Sequence, residues 1–158
     1  LPINYLCSIH PFALVMPEKD AITEEGLEYF LQYVYGYAQF RPGQFAASRR
    51  TLRKEESIVL SPTGSGKSII YQLSSMLLPG ITVVISPLRA LIEDQVNNLS
   101  DKGVNNVASI FSTDKKSKEE MIRKAHAIMN NHSAMMLYIA PERMQMPDFR
   151  KEVQEIFS

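Results

Sequence analysis

The sequence predicts an α/β fold in which a parallel β-sheet has helices on both faces. Two apolar runs typical of buried strands, Ile81–Ile85 and Met135–Ile139, are separated by segments with helical periodicity. A third apolar run, Ile58–Leu60, leads through a glycine-rich stretch into another amphipathic segment. Strands that alternate with helices in this way form βαβ units, whose strands lie parallel. The chain of 158 residues is long enough for one such domain with a substantial core.

The local patterns predict each element in turn. The first helix follows Thr23, a favourable N-cap, with Glu24 and Glu25 in its first turn. Pro42 at a first helical turn predicts a second helix that ends at Leu52. The remaining predicted elements are a strand at Ser57–Leu60, a helix at Lys67–Leu78, a buried parallel strand at Ile81–Ile85, a helix at Leu88–Leu99, a strand at Asn106–Phe111, a helix at Lys116–Asn130, a buried strand at Met135–Ile139 and a helix at Met146–Phe157.

The most informative motif is Ser-Pro-Thr-Gly-Ser-Gly-Lys-Ser, which lies between a predicted strand and a predicted helix. Glycines let the backbone curl around an anion, and the following helix adds the positive end of its dipole. This context is typical of a loop that binds nucleotide phosphates, in which Lys67 contacts the terminal phosphates and the Ser68 hydroxyl ligates Mg²⁺. The residues expected around the phosphates are Pro62, Thr63, Gly64, Ser65, Gly66, Lys67 and Ser68.

Ser61 departs from this pattern, because the general phosphate-loop motif begins with glycine. A Gly/Ser turn that only joins two elements is the alternative interpretation of the motif. The motif also leaves open how the energy of a nucleotide would be used, because kinases, GTPases and motors share it.

The composition excludes several classes of function. Lys and Arg total 17, as do Asp and Glu, so no overall basic charge points to nucleic acid and any such contact must be local. The single cysteine, Cys7, cannot form an intramolecular disulfide, which fits a reducing compartment. The sequence contains no apolar run of the roughly 18–20 residues that a membrane span needs. We therefore expect a protein that is neither secreted nor membrane-embedded.

Another candidate site follows the predicted strand at Ile81–Ile85. Ser86, Pro87, Leu88 and Arg89 form a loop that enters a helix. Its N–H groups, hydroxyl and guanidinium can hold a nucleic-acid phosphate. The alternative is an ordinary strand-to-helix turn in which Ser86 is the N-cap.

Four motifs in order resemble those of RecQ-type DNA helicases, over about residues 27–150. Tyr37–Gln44 resembles the adenine-recognition motif of that family. Ser61–Leu73 resembles its motif I with the following helix, and Val84–Val96 resembles motif Ia. Tyr138–Arg143 resembles the motif that precedes Walker B.

The resemblance implies a RecA-like domain, the first of a helicase core, that binds ATP and Mg²⁺ and acts on single-stranded DNA and duplex junctions. Lys67 would be catalytic in it. DNA would bind at the Ser86–Arg89 loop and at Pro141, Glu142 and Arg143. Glu142 can equally cap a helix or form an ion pair with a nearby residue. Enzymes of this kind work in the nucleus of eukaryotes and in the cytoplasm of bacteria.

The resemblance also assigns adenine contacts to Tyr37, Arg41 and Gln44. A glutamine amide can accept a hydrogen bond from the exocyclic amine of adenine and donate one to a ring nitrogen. Tyr37 would offer an aromatic face to the base and Arg41 a planar cation. The alternative is that Tyr37 is an ordinary core aromatic and that Gln44 lies exposed on its helix.

RecQ-type helicases need a Walker B Asp-Glu-x-His motif, whose acids orient Mg²⁺ and activate water. This chain contains no Asp-Glu pair. We therefore expect residues 23–158 to be only part of the first helicase domain. Separately, we expect residues 1–22 to be an extension that is poorly ordered or not native. By itself the chain should bind nucleotide weakly and hydrolyse it negligibly. The alternatives are part of a DEAD/DEAH-type RNA helicase and a paralogue that binds nucleic acid without turnover.

Overall fold

The computed structural model describes residues 22–110, 119, 120, 123, 136–145 and 151. These residues belong to two compact units that divide between Pro79 and Gly80. The helices predicted at Lys116–Asn130 and Met146–Phe157 fall largely outside the described residues, and the few of their residues that are described are helical. Almost all of the predicted N-terminal extension lies outside them as well.

In its described residues, the first unit contains three helices, α1 at Glu24–Tyr35, α2 at Gln44–Leu52 and α3 at Lys67–Leu77. All three were predicted, and the capping of α1 is confirmed. The predicted start of α2 at Pro42 is wrong, because Gly43 in the left-handed conformation is its N-cap and the proline precedes the helix. The Thr23 hydroxyl accepts a hydrogen bond from the Gly26 N–H at 3.1 Å, and Gly36 ends the helix in the left-handed conformation with φ 73°.

The core of this unit joins all three helices. Leu27 and Leu31 of α1 are buried against Leu52 of α2 and Leu73 of α3. Helices α2 and α3 also pack closely on each other. Because α2 begins at Gln44 and α3 begins at Lys67, this packing fixes the start of one helix beside the start of the other.

A buried polar contact ties α1 to α3. The Tyr35 hydroxyl donates a hydrogen bond of 3.0 Å to Oε1 of Gln72, and both side chains are almost fully buried. Burial, with a smaller contribution from Tyr71, raises the pKa of Tyr35 far above its usual value. The phenol therefore stays protonated and keeps donating to Gln72 where an exposed tyrosine would ionise.

The prediction of a strand at Ser57–Leu60 is wrong. Residues 55–62 have no regular secondary structure, and Ile58 and Leu60 are 90% and 92% exposed. An open cleft of about 790 Å³ lies between this segment and α2. An apolar run becomes a strand only where a neighbouring strand satisfies its backbone, so β propensity alone did not suffice here.

The second unit contains a three-stranded parallel sheet. Its strands are β1 at Thr82–Ile85, β2 at Val107–Ile110 and β3 at Met136–Ile139, in the order β1-β3-β2. Ile85 and Ile110 both stand opposite Ile139, so all three strands end at the same level. The helices of this unit are α4 at Arg89–Asp101, which packs on β2, and the short α5 at Pro141–Met144.

The parallel sheet flanked by helices confirms the predicted α/β class. The central strand β3 is buried along its whole length, as predicted. The prediction that the first of these strands is buried was wrong, because Val83 and Ile85 of β1 are about half exposed. Strand β1 lies at the edge of the described sheet, and its sequence gives no sign of that position. In the described part of the chain, no helix is long and apolar enough to cross a membrane.

We predict that Tyr35→Phe lowers the free energy of unfolding by about 1 kcal/mol at pH 7, because Gln72 loses a buried donor. The folded-state pKa of Tyr35 is raised, so its contribution to stability is complete below the unfolded pKa of about 10 and declines above it. Urea denaturation of both proteins should show the difference shrinking between pH 7 and pH 11. A difference that stays constant across this range would contradict the assignment.

Candidate nucleotide-phosphate site

The glycine-rich loop joins the exposed segment after α2 to the start of α3. Gly64 and Gly66 have φ angles of 79° and 80°, in the left-handed region that side chains with a Cβ rarely adopt. Gly66 is the N-cap of α3, and Lys67 and Ser68 form its first turn. The first N–H groups of a helix have no partner within it, so they are available to an anion at this end of α3.

Polar side chains close the loop on itself. The Ser61 hydroxyl donates to the Ser65 hydroxyl at 2.6 Å. The Lys67 ammonium donates to the carbonyls of Ser61 and Pro62 at 2.6 and 2.7 Å. Ser61, which departs from the general pattern, therefore links the two ends of the loop through its side chain. An incoming phosphate would replace backbone carbonyls as the partner of Lys67.

A second set of bonds reaches the loop from the start of α2. Nε2 of Gln44 donates to the carbonyls of Ser65 and Gly66 at 3.2 and 3.0 Å. Nη1 of Arg41 donates to the carbonyl of Gly64 at 2.9 Å. Three consecutive carbonyls of the loop thus accept hydrogen bonds from two side chains three residues apart.

The Gln44 amide is buried, and nearly all of its hydrogen-bonding capacity is used. The residue is 4% exposed, and its Oε1 accepts a hydrogen bond of 2.9 Å from the backbone N–H of Arg41. An amide has two N–H donors and two acceptor lone pairs, so both donors are engaged by the loop. The prediction that Gln44 lies beside the phosphate loop is confirmed, and the alternative of an exposed Gln44 is wrong. The predicted adenine contact would need one of its N–H groups to leave the loop.

Tyr37 presents one open face next to α1. Its ring stacks on Tyr35 with centroids 6.4 Å apart and an interplanar angle of 8°, and the residue is 48% exposed. The buried hydrogen bond from Tyr35 to Gln72 fixes the Tyr35 ring, on which the Tyr37 ring stacks. Tyr37 is therefore not a core aromatic, and a flat ligand ring could stack on it.

In the second unit, the two motifs assigned to DNA by resemblance begin at the same edge of the sheet. Ser86 follows β1, Pro141 and Glu142 follow β3, and the Ser86 N–H donates to the Ile139 carbonyl at 3.1 Å. This is the carboxyl edge of the parallel strands. Pro87, Leu88 and Arg89 are exposed there.

Three details of this edge differ from simple expectation. Leu88, not Ser86, is the N-cap of α4, so the alternative role of Ser86 as a cap is wrong. The Ser86 hydroxyl is buried without a hydrogen-bond partner among the described residues. Arg143 is 1% exposed, so its guanidinium is not presented to solvent, and only Glu142 of this motif is well exposed.

The described residues contain no group of three or more His, Cys, Asp or Glu side chains that could hold a metal ion. Ser68, the residue predicted to ligate Mg²⁺, lies in the first turn of α3.

A family model described as DEAD/DEAH box helicase matches residues 41–158. The chain belongs to the DEAD/DEAH box helicase family. The match begins at Arg41, the first of the two residues whose side chains hold the loop, and includes every predicted site residue except Tyr37.

Relatives of this helicase chain are RecQ-type proteins. It is 40% identical over 129 residues to the putative ATP-dependent DNA helicase Q1 of Caenorhabditis elegans, covering 81% of the chain and 19% of the relative. It is 37% identical over 127 residues to the ATP-dependent DNA helicase RecQ of Bacillus subtilis, covering 80% of the chain and 21% of the relative. It is 33% identical over 135 residues to the ATP-dependent DNA helicase Q-like 5 of Arabidopsis thaliana, covering 85% of the chain and 14% of the relative. The chain thus spans about a fifth or less of the length of these relatives.

The bonds from Gln44 and Arg41 to the loop were not foreseen from the sequence. Sequence reasoning assigned both residues to a base, because a glutamine amide and an adenine edge are complementary. The packing of α2 on α3, which brings the amide onto backbone carbonyls, has no signal in the order of residues. The glycine at position 66 is the one local hint, because glycine is used where another group approaches the backbone closely, and a Cβ there would lie 2.7 Å from Nε2 of Gln44.

We predict that Gly66→Ala destabilises the chain more than Gly36→Ala. Both glycines have positive φ, so both variants strain the backbone by about 1 kcal/mol. A Cβ at Gly66 would lie 2.7 Å from Nε2 of Gln44, whereas a Cβ at Gly36 meets nothing within 4 Å. Only the first variant should displace the buried amide, at a further cost of about 1–3 kcal/mol. Urea denaturation measures both, and equal losses would rule out the tight contact.

Proposed function

We propose that this chain is the ATP-binding part of a RecQ-type DNA helicase, which couples ATP hydrolysis to translocation on single-stranded DNA and to duplex unwinding. The observation that carries the proposal is the loop before α3 in a member of the helicase family, because its left-handed glycines and the helix N-terminus are suited to bind phosphates. The three relatives are named as ATP-dependent DNA helicases, which favours DNA over RNA as the nucleic acid.

The residues present fit a nucleoside triphosphate with Mg²⁺. Loop N–H groups from Thr63 to Ser68 would bind the phosphates, and the exposed Lys67 would neutralise the terminal ones. The Ser68 hydroxyl would ligate Mg²⁺. Tyr37 would stack on the adenine, with Arg41 and Gln44 nearby. When bound, ATP supplies a phosphoryl group that can be transferred to water.

DNA would bind along the carboxyl edge of β1 and β3. The exposed Arg89 at the start of α4 would supply a cation for a phosphate, and the buried Ser86 hydroxyl, which has no partner among the described residues, would supply a donor. Because Arg143 is buried, its role would be to support this edge from within. Because such an enzyme acts on DNA, it would be found in the nucleus of a eukaryote or in the cytoplasm of a bacterium.

We expect Lys67→Ala to weaken ATP binding by this chain at least about tenfold, because charge-assisted hydrogen bonds to the phosphates are lost. Fluorescence titration with a labelled ATP analogue measures the change. Lys54→Ala is the matched control, since Lys54 is an exposed lysine of the same unit that lies outside the loop, and it should bind as the unchanged chain does. In a longer protein that contains the chain, Lys67→Ala should abolish unwinding. Equal affinity of both variants would refute the assignment.

We also expect the chain by itself to hydrolyse ATP negligibly, whether or not single-stranded DNA is added. Its sequence has no Asp-Glu pair to orient Mg²⁺ and activate water. A phosphate-release assay with single-stranded DNA, with RNA and without nucleic acid measures this. DNA-stimulated turnover at rates of about 1 per second or more would contradict the expectation and reveal a catalytic acid elsewhere in the chain.

A further inference from the structure

The bonds from Gln44 and Arg41 to the loop have a direct consequence for its N–H groups. A trans peptide is planar, so its C=O and the following N–H point in opposite directions, and the peptide bonds here are trans. When the carbonyls of Ser65 and Gly66 point at Gln44, the N–H groups of Gly66 and Lys67 must point away from it. These two N–H groups belong to the set that a phosphate would need.

The same bonds compete with base recognition. Both N–H donors of the Gln44 amide already serve the loop, so a base that took the amide bidentately would have to remove at least one of them. The amide is also buried, and its Oε1 is held by the backbone N–H of Arg41. A side chain held in this way supports the loop whether or not a base is bound.

We propose that Gln44 and Arg41 are positioning residues of the phosphate loop, which hold three consecutive carbonyls so that the loop N–H groups face the phosphates. They therefore set the affinity for phosphates even when no base is present. The inference rests on the proposed function, because it requires that the loop bind phosphates, and it assigns to Gln44 a role that does not involve the base.

Tripolyphosphate with Mg²⁺ is the decisive probe, because it carries the phosphate chain of ATP and has no base. Gln44→Met keeps the length and shape of the side chain and removes its hydrogen bonds. We expect it to weaken tripolyphosphate binding to this chain about tenfold, since two hydrogen bonds that orient the loop are lost. Isothermal titration calorimetry with tripolyphosphate and with ATP measures the effect.

Tyr37→Ala is the matched control for base recognition. It should weaken ATP binding and leave tripolyphosphate binding unchanged, because stacking acts on the base alone. If Gln44→Met likewise weakens only ATP binding, Gln44 reads the base and the inference is overturned while the proposed function stands. If the unchanged chain binds neither ligand, the proposed function fails and the inference fails with it.

Arg41→Lys keeps the test decisive if Gln44→Met proves poorly folded. Arg41 is exposed, so its replacement should not disturb the core, and lysine retains the positive charge while losing the planar fork that reaches Gly64. We expect tripolyphosphate binding to weaken about two- to fivefold. Unchanged affinity for tripolyphosphate in this variant, with circular dichroism that matches the unchanged chain, would overturn the inference.

Discussion

The hydrogen bonds between the start of α2 and the glycine-rich loop are the constraint on which the site depends. Three carbonyls of the loop, on Gly64, Ser65 and Gly66, accept from two side chains. Glycine is required at two of these positions because the backbone is left-handed there. A loop with that freedom could adopt many shapes, and the side chains of Arg41 and Gln44 select one of them. The packing of α1, α2 and α3 keeps those side chains in place.

The elements that the sequence predicted well are those with strong local signals. Helix α1 has a capping threonine, apolar residues at helical spacing and a terminal glycine, and all three act as expected. The glycine-rich loop was placed correctly before a helix, because its glycines and the apolar periodicity that follows them are strong local signals. The central strand β3 was recognised because an unbroken apolar run is typical of a strand that is buried on both faces.

The elements that were missed depend on neighbours distant in sequence. The run at Ile58–Leu60 has the composition of a strand, and the structure leaves it extended and exposed. Strand β1 has the same composition as a buried strand and lies at an edge. The burial of Arg143 and the commitment of the Gln44 amide are likewise matters of packing. The sequence can identify such side chains as candidates for a site, whereas the packing around them determines which of their atoms are free to contact a ligand.

Two features of the sheet unit bear on how nucleic acid would be held. The loops after β1 and β3 are joined by a backbone hydrogen bond from Ser86 to Ile139, so they would respond together to a bound strand. Among the described residues that follow β1 and β3, the exposed charged side chains nearest the strand ends are Arg89 and Glu142. Because the chain has no net charge, any contact with nucleic acid would depend on directed hydrogen bonds and local cations rather than on a broad basic field.

The central claim is that the loop before α3 is the phosphate site and that its N–H groups are already directed toward the ligand. The most direct test is a titration of the ¹⁵N-labelled chain with ATP and Mg²⁺, followed by the backbone amide signals in NMR spectra. The account predicts that the largest shifts occur at Gly64, Gly66, Lys67 and Ser68, and that all four follow the same single-site binding curve. Shifts that are absent at these four amides, or that are concentrated in the sheet unit, would contradict it.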